Sequence, residues 1–198
     1  MSAPSYLTRS LVKHHRSYRN VKRGTVVNST MIRPASTSSA GRLLGARQLA
    51  DVVQRYAECP GEWLQRVRLN PAGRWYEQVT LDESHEVWLI SWLPGQETGF
   101  HNHGGAAGAF TVVLGSLTES RVVGANAAGQ VLSKPVKAGA TRSFGPRYIH
   151  NVQNTARSSL AVSVHAYSPP LTAMTRYELT QNGLVTLGTE ASEAWSAA

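Results

Sequence analysis

Apolar residues recur at helical spacing over one short stretch and at strand spacing over most of the chain beyond it. Leu49, Val52, Val53 and Tyr56 fall at i, i+3, i+4 and i+7, the stripe of an amphipathic helix. It is expected over 47–59, because Pro60 forbids the turn that would come next. Trp63, Leu64 and Val67 mark a second short helix over 62–69. From Trp75 the period drops to two. Short runs at 75–81, 86–92, 109–114, 116–122, 131–136, 141–144, 149–154, 160–167, 175–179 and 184–187 read as strands, with Gly or Pro in nearly every gap. Many short strands at regular spacing predict an all-β sandwich or barrel. Trp63, Trp75, Trp88 and Trp92 are expected in its core. There is no internal repeat and no sign of a second domain.

Charge divides the chain differently. Residues 1–50 hold nine Lys and Arg and no acid, whereas the other 148 hold eleven Lys and Arg against twelve Asp and Glu. The net charge of +8 therefore belongs to a leader, and a nucleic-acid-binding face on the folded domain is not expected. Residues 1–45 are rich in Ser, Thr, Lys and Arg and read as a basic, disordered leader; residues 46–198 read as the domain. An organellar transit peptide, a translation start at Met31 and a nucleic-acid-touching arm are the alternatives for the leader. No apolar run approaches the ~20 residues of a membrane span. Cys59 is the sole cysteine, so no intrachain disulfide is possible and a reducing, cytoplasmic compartment is expected; the chain is also expected to be a monomer.

Candidate chemistry centres on Gly95 to Glu119. His101 and His103 stand two apart. On a strand, residues two apart share a face, about 6–7 Å from each other at the backbone. Both imidazoles could reach one metal ion, and imidazole suits iron, copper, nickel and zinc better than magnesium. Two incidental histidines on a strand edge are the alternative. His150, after a Gly-Pro turn, offers a third ring. Along 160–167 the alternation puts Ser163, His165 and Tyr167 on one face and Val162, Val164 and Ala166 on the other. Three histidines plus water is also the ligand set of hydrolytic zinc sites, although no general base is evident beside such a water.

Gly95-x5-His101-x-His103, then Gly115, then His150-x3-Asn154 resembles the two metal-binding motifs of cupins. The glutamate that many cupins carry four or five residues past the second histidine is absent, since Ala107 and Gly108 stand there. The three histidines followed by Ser163-x-His165-x-Tyr167-Ser168-Pro169-Pro170 resemble the cysteine dioxygenase family of thiol dioxygenases, from Arg74 to about Leu179. The resemblance implies a single cupin (jelly-roll) barrel preceded by one or two short helices. It implies one Fe(2+) on His101, His103 and His150, and a Ser163–His165–Tyr167 relay facing substrate and O2. The reaction would oxidise a small free thiol, L-cysteine or 3-mercaptopropionate, to its sulfinic acid, a step of sulfur amino acid metabolism. A non-enzymatic cupin that binds a small ligand is the competing class.

Two positions depart from the animal-type pattern. The cysteine that would cross-link to the tyrosine is replaced by Gly108, as in bacterial members. The family's Tyr-x-Arg motif aligns with Tyr76-Glu77-Gln78, which puts Gln78 where an arginine grips the substrate carboxylate. A glutamine is not a bidentate fork. Relatives with Gln there resemble 3-mercaptopropionate dioxygenases, and Arg176, nine residues past Tyr167, is expected to supply the missing charge, with Arg74 and Arg142 as alternatives. Ser168-Pro169 is an expected place for a cis bond.

Overall fold

The computed structural model describes residues 42–124 and 130–192; the leader up to residue 41 lies outside the described residues. Helix α1 spans Ala46–Glu58, with Leu49, Val52 and Val53 buried on one face. Gly45 precedes it, and its N–H donates to Gln48 Oε1 at 3.0 Å, which satisfies one of the free donors of the first turn. The second helix α2 is a single turn, Pro60–Trp63. It starts earlier and ends sooner than the apolar spacing predicts, because Pro60 suits the first turn of a helix and only Trp63 of the expected stripe is buried. Leu64 remains exposed.

Among the described residues, eleven strands come after the helices: β1 Trp75–Leu81, β2 Glu86–Trp92, β3 Phe100–His101, β4 Ala107–Leu114, β5 Ser116–Val123, β6 Gln130–Lys137, β7 Thr141–Phe144, β8 Asn151–Gln153, β9 Ala161–Ser168, β10 Ala173–Thr180 and β11 Gly183–Ala191. They form sheets in the orders β1-β2-β9-β4-β7, β11-β10-β3 and β6-β5-β8. An antiparallel bridge between His101 and His150 ties β3 to the start of β8, so the two three-stranded sheets meet where two of the histidines stand. The fold is mostly β, as its sequence pattern predicts.

Strand β9 sits at the centre of the five-stranded sheet, and every one of its residues is buried. The period of two explains why. Val162, Val164 and Ala166 pack with Leu49 and Val53 of α1 and with Val87, Leu89 and Ala109. Ala161 and Tyr167 face the other way, in a cluster with Ile90, Trp92, Phe110, Leu117, Val136 and Val152. Each apolar side chain moved from water into such a layer contributes ~1.5–3 kcal/mol. Helix α1 thus covers the outside of the sheet and leaves the inner face to the site. Two glycines permit close approaches: Gly104 (φ 60°) lies against the Ala173 carbonyl and Gly115 (φ 75°) against the Leu160 carbonyl. A Cβ at either would collide with backbone, in a conformation that L-residues rarely adopt. The Ser168–Pro169 peptide is cis.

Candidate metal centre

The three histidines converge. Their ring centroids are 4.9 Å (His101–His103), 4.9 Å (His101–His150) and 5.1 Å (His103–His150) apart, and one nitrogen from each lies within 4.8 Å of the others. All three are buried. The route differs from the strand geometry expected of His-x-His: β3 ends at His101, and His103 stands in the turn beyond it. That turn is held by Asn102, whose Oδ1 accepts the N–H groups of Gly104 and Thr175. His101 and His150 instead meet through reciprocal backbone bonds of 3.0 and 3.2 Å.

The imidazoles have their outer nitrogens engaged to different extents. His101 Nδ1 lies 3.0 Å from the Gly99 carbonyl, which fixes it as the N–H and turns Nε2 toward the cluster. His150 Nδ1 lies 2.9 Å from Glu119 Oε1. Neither nitrogen of His103 has a hydrogen-bond partner of normal geometry among the described residues, although the Tyr148 carbonyl approaches it. Buried polar atoms are rarely left so, and a cation at the common point would satisfy one of the two. Burial first, and the neighbouring imidazoles second, hold His101 and His103 well below the ordinary histidine pKa, so both offer lone pairs at neutral pH. Three imidazole nitrogens on one point fit a divalent transition metal.

Beside the histidines lies a cavity of roughly 650 Å³, counting its open mouth, lined by Arg74, Tyr76, Trp88, His101, His150, His165, Tyr167 and Arg176 among others. Trp88, expected in the core, stands in its wall, with its ring edge-on to Tyr76 at 5.8 Å. Trp63, Trp75 and Trp92 are buried as expected. Ser163, His165 and Tyr167 form one connected line. Trp92 Nε1–H donates to Ser163 Oγ at 2.8 Å, Ser163 Oγ lies 2.8 Å from His165 Nε2, and His165 Nδ1 lies 3.3 Å from the Tyr167 hydroxyl. Indole is a donor only. With its lone pair facing the indole, the Ser163 hydroxyl gives its proton to His165 Nε2, which leaves Nδ1–H to donate to the Tyr167 oxygen. Burial drives the His165 pKa down to about 3 and the Tyr167 pKa up. The histidine is therefore neutral and the tyrosine keeps its proton, free to donate into the cavity.

The expected substrate residues separate. Tyr76 and Arg176 line the cavity. Arg176 is already engaged, with Nε and Nη2 each 3.1 Å from Glu190 Oε2 and Nη1 3.0 Å from the Thr98 carbonyl. Gln78 is exposed, outside the cavity lining, and donates its amide to Glu86 Oε2 at 2.7 Å. Arg74 is in the lining, its guanidinium 5.3 Å from the centre of the Trp92 ring. Burial, then the charge of Arg176, lowers its pKa. It forms no ion pair among the described residues. Arg142 points elsewhere, with Nε 3.6 Å from Glu119 Oε2. Asn154 braces the loops, its Nδ2 donating to the Trp92 and Ser159 carbonyls at 3.0 and 2.9 Å.

Three features escape the motif spacing: Glu119, the Trp92 donor and Phe144, whose ring stacks on His103 at 4.7 Å and on Tyr148 at 4.7 Å. Glu119 did leave a signal, since it lies in phase with the core residue Leu117 on β5. Burial alone would raise its pKa; the bonds from His150 and Tyr148 and the Arg142 charge outweigh that and hold it below the ordinary value.

Several solved structures match the chain at low identity, with TM-scores below 0.5. A conserved protein with a double-stranded β-helix domain from Klebsiella pneumoniae is 19% identical, with 70% of this chain and 92% of that chain covered and a TM-score of 0.45. An RmlC-like cupin protein from Desulfovibrio desulfuricans is 21% identical, covering 53% and 91%, with a TM-score of 0.43. An oxalate oxidase is 18% identical, covering 82% and 72%, with a TM-score of 0.44. The sequence model described as "Cysteine dioxygenase type I" matches residues 35–180. That span takes in all three histidines, the Ser163–His165–Tyr167 line and both cavity arginines, and the chain belongs to the cysteine dioxygenase type I family.

Proposed function

We propose that the protein is an iron(II)-dependent thiol dioxygenase. It uses O2 to oxidise a small thiol that carries a carboxylate, L-cysteine or 3-mercaptopropionate, to its sulfinic acid. One observation carries this reading: three buried imidazoles converge beside a cavity whose wall holds both a tyrosine hydroxyl and a cation that forms no ion pair among the described residues. The balance needs no further reductant, since RSH and O2 give RSO2H with both oxygens on sulfur. His101, His103 and His150 would hold one Fe(2+), which supplies the redox chemistry between thiolate and dioxygen and favours the deprotonated thiol.

The chain's own residues bind and orient. Arg74 takes the substrate carboxylate as a bidentate fork, its plane supported by the Trp92 ring. Arg176, in the same cavity lining, adds charge, but shares it with Glu190. Tyr76 and Trp88 line the cavity edge-on to each other, and Gln78, outside the lining, donates only to Glu86. Tyr167, oriented by His165 and Ser163, aims its hydroxyl proton at the oxygen-bearing side of the substrate. Aromatic and aliphatic side chains around the histidines exclude bulk water, which strengthens each of these contacts.

The test is oxygen uptake by the iron-loaded chain with L-cysteine, 3-mercaptopropionate and cysteamine, with the product identified by mass after reaction under labelled O2. One O2 consumed per carboxylate-bearing thiol, with two labelled oxygens in a sulfinate, is expected. Uptake no faster than free iron gives, or a disulfide as sole product, would refute the reading.

A further inference from the structure

Glu119 is a carboxylate where the fold asks for none. It sits in the inward phase of β5 with Leu117 and is 5% exposed. Its Oε1 lies 2.9 Å from His150 Nδ1 and 3.0 Å from the Tyr148 hydroxyl, and Oε2 is 3.6 Å from Arg142 Nε. Arg142 and Tyr148 are only partly buried, so water can serve them in place of an acid. His150 is 1% exposed and has no such recourse. A buried carboxylate is costly unless something uses its charge, and the group here that needs it is the His150 ring.

We infer that Glu119 is a positioning residue that supplies the negative charge missing from the three-histidine set, one imidazole removed from the common point. The inference rests on the metal-binding reading above. Accepting the Nδ1–H bond fixes one tautomer of His150, aims Nε2 at the cluster and raises the basicity of the ring. The corresponding nitrogen of His101 meets only a neutral carbonyl, that of Gly99, and His103 meets no partner of normal geometry among the described residues. The three imidazoles are therefore unequal donors, with His150 the strongest. Alanine and glycine stand at 107 and 108, so the first histidine segment brings no carboxylate of its own. Glu119 acts from the neighbouring strand and leaves the space facing the cavity to substrate and O2.

Glu119→Gln keeps the volume and an acceptor oxygen but removes the charge. With the full chain and iron(II) alone as the probe, measured by competition with a chelator, affinity should fall about ten- to a hundred-fold. The Fe(III)/Fe(II) midpoint potential should move positive, because the more highly charged state loses more stabilisation. Glu119→Asp, which keeps the charge, should lie between the two in both readouts. A merely structural role would lower thermal stability without moving the potential. Where the variants fail to fold, the wild-type chain with ¹⁵N-labelled histidine and zinc alone decides: His150 Nδ1 should carry the proton, in a hydrogen bond that shifts it strongly downfield. A bare Nδ1 would overturn the inference. So would Glu119→Gln binding iron as tightly as wild type at an unchanged potential. A wild-type chain that binds neither metal would overturn the metal reading itself, and this inference with it.

Discussion

Gly108 stands where the animal-type pattern has a cross-linking cysteine, and in this chain Phe144 occupies the room such a side chain would need. A Cβ placed on Gly108 would lie 2.5 Å from Phe144 Cζ and 3.0 Å from Tyr167 Cδ1. Carbon atoms pack at ~3.5–4.0 Å, so the ring must retreat by about an ångström. It has little freedom to do so, because it stacks on His103 and on Tyr148, and His103 stacks in turn on Tyr167 at 5.1 Å. Overpacking of this kind costs ~1–3 kcal/mol. At about 2–4 °C per kcal/mol for a chain of this size, Gly108→Ala should lower Tm by roughly 2–12 °C in a thermal melt monitored by circular dichroism. Activity should fall as well, since the displaced ring presses on His103, which stacks in turn on Tyr167. Phe144→Leu should relieve the clash, so the double variant should be more stable than the two single losses added together, by about 1 kcal/mol or more. Gly108→Cys should form no thioether with Tyr167 while Phe144 is in place. A Gly108→Ala protein that melts within a degree of wild type, with losses that simply add to those of Phe144→Leu, would refute the packing argument.

Arg74→Ala should cut kcat/KM for L-cysteine and 3-mercaptopropionate about ten- to a hundred-fold, the equivalent of a lost charge-assisted contact of ~1.5–3 kcal/mol, and spare cysteamine; equal losses on all three thiols would remove Arg74 from carboxylate binding. The metal-free protein should lose stability as pH falls. The His165 pKa drops from 6.5 to about 3 on folding, so the unfolded chain takes up a proton near pH 6.5 and the folded one does not until about pH 3. The contribution is complete above pH 7.5 and declines between 6.5 and 3, by about 2 kcal/mol between pH 7.5 and 5 for His165 alone. His101 and His103 act in the same direction. Urea midpoints that stay flat or rise on acidification would contradict this.

The alternation along 160–167 carried both the barrel strand and the line of polar groups on it, because a residue under a helix and a residue facing a cavity differ in hydrophobicity at every second position. The histidine spacing was equally legible, although the expected mechanism of a shared strand face gave way to a turn for His103. That turn depends on Asn102, Gly104 and the distant Thr175, partners that a local pattern cannot reveal. The second helix was over-extended because Leu64 and Val67 mimic a stripe. The substrate wall was least legible. Tyr76 and Gln78 share a strand phase, and nothing in the sequence says that the cavity ends between them. The pairing of Arg176 with Glu190, fourteen residues away on β11, is likewise a product of the β10–β11 hairpin, whose register shifts between Arg176 and Tyr177. Glu119 was hidden by its sequence distance from His150, thirty-one residues.

The central claim is that His101, His103 and His150 together hold one metal ion that the thiol chemistry requires. Its most direct test is metal analysis of the full chain after anaerobic loading with iron(II) and gel filtration, on wild type and on His101→Ala, His103→Ala and His150→Ala, each with its oxygen uptake on 3-mercaptopropionate and L-cysteine. Wild type should hold one iron per chain and show thiol-dependent uptake, and all three variants should lose both while their apo folds still melt cooperatively. A His150→Ala protein that retains a full complement of iron and wild-type uptake would contradict the claim.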